Sequence, residues 1–263
     1  MKINRPPVSC ICLTYGRPHL LEEAIYAFLR QDYDGQKELI VLNDYAQQTL
    51  LFNHPEVRVI NVPQRFRTVG EKMNVAVALA THNLLFVWDD DDIYLPHRLT
   101  FSVDRFEPAK GYFKPDKAWV LDNGRLEGPK KNLFHVGSCW SRQRFDAVRG
   151  YVADGTGYDW IFEQRLKAAF PDAIQPYTIK PEEIYYLYRW GESDSYNMSG
   201  FGSYRQGQNV GHADVEAFVA HKAQAGEIRQ GVIHVEPQWK QDYRQLVADH
   251  LKALAQAEAA VPG

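Results

Sequence analysis

Cysteine is scarce in this 263-residue chain: Cys10, Cys12 and Cys139 are the three present, an odd number without a framework spacing. That count excludes a disulfide-stapled scaffold and fits a reducing compartment. Cys10 and Cys12, two positions apart, share one face of a strand and read as small core residues. Long apolar runs are also missing; no stretch approaches the ~20 residues of a membrane-spanning helix. The opening MKINRPPVSCICLTYGRP lacks the apolar segment of a secretory leader, so the cytoplasm is the expected location. Neither sign of charge dominates, with a net charge of -3. Without a basic field, nucleic acid is not an expected partner. The remainder is an ordinary globular balance, 45% apolar and 24% charged, long enough for a substantial core.

The first half alternates between strand and helix patterns. Residues 6–15 (PPVSCICLTY) form a short apolar run opened by prolines, a buried strand. Leu20, Leu21, Ala24, Ile25, Phe28 and Leu29 recur at helical spacing. Residues 37–44 and 57–62 read as two further strands. Val69, Met73, Ala76, Val77 and Ala80 mark a second helix, and residues 83–88 a fourth strand. This order predicts an α/β domain with a mostly parallel sheet covered on both faces. In such sheets ligands bind beyond the carboxyl ends of the strands. Three polar clusters fall there: Thr14 to Arg17, Asn43-Asp44 and Asp89 to Asp92.

Later segments are more varied. A helix is expected from Pro96 to about Phe106, and a hairpin around Asn123-Gly124. Residues 132–141 and 182–190 read as strands, with a helix beginning near Tyr158 between them. Residues 191–211, rich in Gly, Ser, Tyr and Asn, read as a loop. Trp239, Tyr243, Leu246, Val247, Leu251 and Leu254 line one face of a final amphipathic helix. That face packs on its own domain, forms a dimer seam or touches a membrane surface; its mixed-charge polar side disfavours the last.

FVWDDDDIYLP, residues 86–96, carries the most unusual chemistry, four carboxylates at the end of a buried strand. If the backbone stays extended, Asp89 and Asp91 point to one face while Asp90 and Asp92 point to the other. Carboxylate oxygens at such an edge suit Mg2+ or Mn2+. A solvated acidic turn, with Asp92 capping the next helix, is the simpler reading.

The ordered set of motifs is more specific than any one of them. VSCICLTYGRPHLLEEAIYAFLRQDY, then ELIVLND, then GEKMNVAVALATHNLLFVWDDDDIYLPHRL resembles the family 2 glycosyltransferases with the GT-A fold. GSCWSRQRFDAVRGYVADGTGYDWIFEQRL is similar to that family's acceptor-side segment. The resemblance implies a Rossmann-like, mostly parallel central sheet with helices on both faces and a C-terminal helical extension. It divides the chain into a donor half (residues 1–105), an acceptor half (106–211) and the extension (212–263). It also implies an inverting transfer from a nucleotide sugar, with a UDP-sugar favoured, to a carbohydrate or lipid-linked glycan acceptor. Peripheral membrane association and homodimerisation stay open.

The residue roles follow from the same resemblance. Asp91 is the expected metal ligand, with Asp89 at the metal or the ribose. Thr14, Tyr15, Arg17, Asp44, Lys72, Asp89 and Asp90 belong to the nucleotide-sugar site. Arg17 suits the diphosphate because a guanidinium meets phosphate oxygens in a fork, and Arg65 and Arg67 add charge nearby. Asp44 is placed to accept from a base imide. Asp159 is the expected general base, taking the acceptor hydroxyl's proton. Tyr158 and Trp160 could stack on a sugar, Arg189 or Trp190 could face the acceptor, and His212 could complete a metal shell. Two positions depart from the family pattern: Asn43 where an Asp is common, and Tyr158 where a Glu is common. Rival readings are a silent sugar- or nucleotide-binding module, a nucleotidyltransferase, disfavoured by the Gly-poor TYGRPHLL, and an Asp-x-Asp phosphatase, whose motif follows a first strand rather than a fourth.

Overall fold

A computed structural model describes residues 5–133, 135–153, 157–174, 177–190 and 212–259. Six strands form the central sheet: β1 (Val8–Thr14), β2 (Lys37–Asn43), β4 (Val57–Asn61), β5 (Leu84–Val87), β7 (Tyr112–Phe113) and β10 (Cys139–Ser141). They lie in the order β4-β2-β1-β5-β10-β7. The first four run parallel, and β10 is antiparallel to both neighbours. The expected mostly parallel sheet is therefore present.

Strands β1, β2 and β5 are buried on both faces, which is why each reads as an almost continuous apolar run. Alternation sends Cys10, Cys12, Leu39, Val41 and Phe86 to one side, where α1 (Pro18–Leu29) packs. Ile11, Ile40, Leu42, Leu85 and Val87 face the other side, under α2 (Val69–Leu79) and α5 (Tyr158–Ala169). The three cysteines are free and buried, as small core residues. Burial pushes the Cys10 thiol up to about 12, so it is no nucleophile at neutral pH. Pro18 opens α1, and the Thr68 hydroxyl caps α2 by accepting from the Glu71 N–H at 3.1 Å.

A second sheet contains β6 (Ile93–Tyr94), β11 (Tyr186–Trp190), β8 (Lys117–Asp122) and β9 (Arg125–Lys131), in that order. The β8–β9 hairpin turns at Asn123-Gly124 as expected, both residues at positive φ. The remaining elements are β3 (Gln48–Leu51), α3 (Arg98–Arg105), α4 (Arg142–Ala147), α6 (His212–Gln224), β12 (Gly231–His234) and α7 (Tyr243–Ala259). Strand β12 pairs with β3 in a small parallel sheet.

Several boundaries differ from the sequence expectation. Among the described residues of the 132–141 stretch only Cys139–Ser141 is strand, because a 3-10 turn at His135–Gly137 interrupts it. Another 3-10 turn, Pro181–Glu183, delays β11 to Tyr186. The last helix starts at Tyr243 rather than Trp239. Tyr243 and Val247 are buried in the main core, so this helix packs on its own chain. Residues 191–211, expected as a loop, lie outside the described residues. Among the described residues no helix is long and apolar enough to cross a membrane.

Candidate active site

The three polar clusters meet at one edge. Thr14 pairs with Asn43 in register, and the Trp88 N–H donates to the Ile11 carbonyl at 2.8 Å. The chain leaves the sheet after Trp88, so the aspartates do not alternate as an extended strand would place them. One carboxylate oxygen from each of Asp89, Asp91 and Asp92 lies within 4.8 Å of the others. Asp92 thus joins the face expected for Asp89 and Asp91 alone. Nor does it cap a helix: α3 starts at Arg98, with His97 before it. Instead Asp92 accepts from the Tyr186 hydroxyl at 2.8 Å and the Arg189 N–H at 2.9 Å. Asp90 turns to Arg17.

Arg17 joins two of the four. Its Nε donates to Asp90 Oδ2 at 3.2 Å, its NH2 donates to Asp90 Oδ1, and its NH1 reaches Asp91 Oδ2 at 2.7 Å. Burial works against the guanidinium's charge, but Asp90, Asp91 and Asp89 outweigh it and shift its pKa upward. Burial also raises the carboxylates, Asp90 to about 6 and Asp92 to about 8, the latter aided by the charge of Asp91. Asp89 is driven well above the usual range by burial and by Asp91, Asp92 and Asp90. Such a cluster resists full ionisation until a cation joins it. Its oxygen donors are the hard ligands that Mg2+ and Mn2+ prefer, so the residues fit such an ion.

Behind the cluster, the Arg98 guanidinium is fully buried beside the rings of Tyr94 (4.1 Å) and Trp88 (4.7 Å). It donates to the carbonyls of Val87 and Val136. This fixes the chain where β5 ends. The sequence marked the position only as part of a helix.

Lys72 faces inward and is only 6% exposed. Its ammonium donates to Asp44 Oδ1 at 2.5 Å and to the Thr14 carbonyl at 2.7 Å. Burial lowers its pKa against the opposing pull of Asp44. Asp44 Oδ2 accepts the Phe66 N–H at 3.0 Å, so both carboxylate oxygens are engaged within the protein. Asn43 donates to the Gln48 carbonyl and Asn61 Oδ1 and accepts from the Tyr45 N–H. An amide makes all three bonds, which a carboxylate could not.

Tyr15 stands edge-on to Tyr45 with ring centroids 5.0 Å apart. Arg65 covers the Tyr15 ring at 4.3 Å and pairs with Glu216 at 3.2 Å, while Arg67 is exposed. A cavity of about 440 Å3 opens beside Tyr15 and Tyr45, walled by Gln47, Glu216, Gln224 and Gln230 among others. Helix α6 forms one wall; the side chain of His212 lies outside the described residues.

Asp159 occupies the first turn of α5 and is not its cap, which is Gly157 in the left-handed region. Its Oδ1 accepts the Trp160 N–H at 2.8 Å. Burial and the charges of Asp89, Asp159 and Asp91 together raise the Tyr158 phenol well above its usual range. Tyr158 therefore feels both the carboxylate cluster and the expected base. Trp160 is 64% exposed, whereas Trp88, Trp119 and Trp140 are fully buried. Arg189 is corrected: rather than facing an acceptor, it is buried in an ion pair with Glu23 at 2.7 Å. Trp190, half-buried, stacks on Tyr188.

Two groups missed in the sequence hold the segments around α5 together. Asn74 on α2 donates to the Tyr151 carbonyl and accepts its N–H, both at 2.9 Å. On α5, Glu163 accepts from Lys114 (2.8 Å), Tyr112 (2.8 Å) and His135 Nδ1 (3.0 Å). His135 Nε2 faces the Tyr151 hydroxyl at 2.7 Å. Gly70 and Asn74, four residues apart in the GEKMN stretch that carries the resemblance, were the available signal for the first; nothing local signals the second.

The model of glycosyl transferase family 2 matches residues 9–165, more than half of the chain, and the chain belongs to that family. WcaA of Escherichia coli (strain K12), a glycosyl transferase assigned by name to colanic acid biosynthesis, is 25% identical over 181 residues. That stretch is 63% of each chain, so the match spans under two thirds of the relative. Among solved structures, S. aureus TarS 1-349 in complex with UDP-GlcNAc aligns with a TM-score of 0.55 at 14% identity, covering 93% of this chain and 71% of that one. The mannosyltransferase PcManGT from Pyrobaculum calidifontis, in complex with GDP-Man and Mn2+, aligns with a TM-score of 0.53 at 18% identity, covering 98% and 77%. These likenesses establish the GT-A fold.

Proposed function

We propose that the chain transfers a sugar from a nucleoside-diphosphate sugar to an acceptor hydroxyl, with inversion and with a divalent cation. The observation that carries this reading is the convergence of Asp89, Asp91 and Asp92 beside Arg17 at the carboxyl edge of the sheet. Asp91 and Asp89 would hold Mg2+ or Mn2+, with Asp92 in reach. When bound, the ion neutralises charge on the departing diphosphate. Arg17 is placed to exchange a carboxylate for a phosphate oxygen, since its fork suits either. Thr14, Tyr15, Lys72, Asp44 and Asp90 border the nucleotide, Lys72 and Asp44 as a buried pair that shapes the floor. UDP is the favoured nucleotide; the two aligned structures hold a UDP-sugar and a GDP-sugar respectively.

Asp159 takes the proton of the acceptor hydroxyl as its oxygen attacks the anomeric carbon. The bond to the diphosphate breaks and the electron pair leaves on the diphosphate oxygen. Trp160, exposed beside Asp159, offers an indole face to an acceptor sugar ring, the expected acceptor being a carbohydrate or lipid-linked glycan. The acceptor class rests on the family, whose members join sugars to such hydroxyls. Release of nucleoside diphosphate from UDP- and GDP-sugars, with Mn2+ and with chelator, tests the reading. Metal-dependent release is expected. Nucleotide binding without turnover under every one of these conditions would leave a silent binding module instead, and neither binding nor turnover would overturn the reading.

A further inference from the structure

We propose that the C-terminal helix, which lies beyond the family match, positions Asp92 within the carboxylate cluster through Tyr243, Glu23, Arg189 and β11. The proposal rests on the reading of Asp89, Asp91 and Asp92 as a divalent-cation site.

Asp92 is held by β11 rather than by its own loop. One oxygen accepts from the Tyr186 hydroxyl and the other from the Arg189 N–H, so the carboxylate moves with that strand. Tyr186 lies nearly parallel to Tyr94, with centroids 5.7 Å apart and planes at 13°. The Tyr94 hydroxyl accepts the Asp89 N–H at 2.8 Å. This stacked pair therefore spaces the backbone of Asp89 from the carboxylate of Asp92.

The strand is anchored from the opposite side. Arg189 and Glu23 form an ion pair with both side chains only 1% exposed. A pair so buried needs its remaining hydrogen-bonding positions satisfied. The C-terminal segment satisfies one of the Glu23 oxygens: Oε1 accepts from the Tyr243 hydroxyl at 2.7 Å and the Lys240 N–H at 2.9 Å. Arg189 also donates to the Tyr243 hydroxyl at 3.3 Å. Tyr243, the first residue of α7, thus closes a buried network that runs from α1 through β11 to Asp92. Tyr186, Arg189, Glu23 and Tyr243 are positioning residues. Outer groups that orient metal-binding carboxylates change metal affinity by roughly 10- to 100-fold when removed.

Mn2+ binding by titration calorimetry, without nucleotide, tests this on the full chain. Tyr186→Phe is expected to weaken Mn2+ binding about tenfold. Tyr243→Phe, acting one step further away, is expected to weaken it severalfold while keeping its ring in the core. Tyr33→Phe removes the hydroxyl bond to the Pro6 carbonyl beyond the far end of β1 and serves as the control for general loosening. It should lower Tm without changing Mn2+ affinity. Wild-type Mn2+ affinity in Tyr243→Phe, with binding lost in Asp91→Asn, would overturn the positioning role of the helix, whatever Tyr186→Phe shows. Equal Mn2+ binding by Asp91→Asn and wild type, or none by wild type, would instead remove the cation site itself and the proposal with it.

Discussion

The Val152 carbonyl oxygen lies so close to Gly70 that a β-carbon on that glycine would stand 1.8 Å from it. Asn74, one turn along α2, holds the neighbouring Tyr151 by both of its backbone groups. Together the two residues dock the chain that precedes α5 onto α2. Gly70→Ala must push this backbone away, because a carbonyl has no rotamer to escape into. A loss of about 2–3 kcal/mol in urea unfolding is expected, the scale of overpacking. Asn74→Ala leaves a buried N–H and carbonyl without partners and should lose about 2 kcal/mol. Unchanged stability in both would show that this junction is loose.

Lys72 and Asp44 form a pair that is nearly dry. Lys72→Met leaves Asp44 as an uncompensated buried charge, and about 3–5 kcal/mol of stability should go. Adding Asp44→Asn removes the stranded charge, so the double variant should regain most of the loss. The coupling energy from the four-member cycle checks this. Strictly additive losses would mean that the two groups do not depend on each other.

Arg17 already holds Asp91, the carboxylate proposed for the divalent cation, through NH1 and Oδ2 at 2.7 Å. Arg17→Met takes away the guanidinium that Asp90 and Asp91 share. The metal-free variant should therefore melt lower than wild type, because the carboxylates then repel without a counter-charge. Mn2+ should raise the Tm of the variant by more than it raises that of wild type. An equal shift in the two proteins would separate Arg17 from the cation site. Donor affinity should fall in the variant even with Mn2+ saturating.

The sequence made the sheet legible because its central strands are buried on both faces and so read as unbroken apolar runs. It also placed Asp89 to Asp92, Asp44 and Arg17 at the same edge. What it hid depends on partners distant in the chain. The burial of Lys72 follows from Asp44, 28 residues away, folded beneath it. The ion pair of Arg189 with Glu23 has no signal in the sequence around either residue. The alternation argument for the aspartates failed for another reason: it assumed that extended backbone continued past Trp88, where the ladder has already ended. Short strands such as β6, β7 and β12 have too few residues to show a period.

Glu163 gives the clearest pH signature. Burial alone would raise its carboxyl, but the hydrogen bond and charge of His135, together with Lys114, bring it down to about 2. A depressed carboxylate contributes stability above its unfolded pKa near 4.5, and that contribution disappears as pH falls toward 2. A shift of this size corresponds to at most about 3 kcal/mol. Glu163→Gln should thus be less stable than wild type at pH 7, with the gap narrowing between about pH 4.5 and pH 2. Chemical unfolding of both proteins across that window measures it. A gap independent of pH would assign the loss to packing rather than to charge.

Asp159 is the position where transfer and donor breakdown should separate. The carboxylate is proposed to act on the acceptor's proton, and its hydrogen bond is to the Trp160 N–H rather than to the cluster. Asp159→Asn keeps the bond from the Trp160 N–H, since an amide oxygen accepts as a carboxylate does. It loses the ability to take a proton, so kcat for transfer should drop by about 10^2- to 10^4-fold. Donor KM and Mn2+ affinity should stay near wild type, because the donor-side residues are untouched. Parallel assays of sugar transfer and of nucleotide-sugar binding distinguish the outcomes. Full transfer activity in Asp159→Asn would move the base elsewhere, whereas a matching loss of donor binding would place Asp159 on the nucleotide rather than the acceptor.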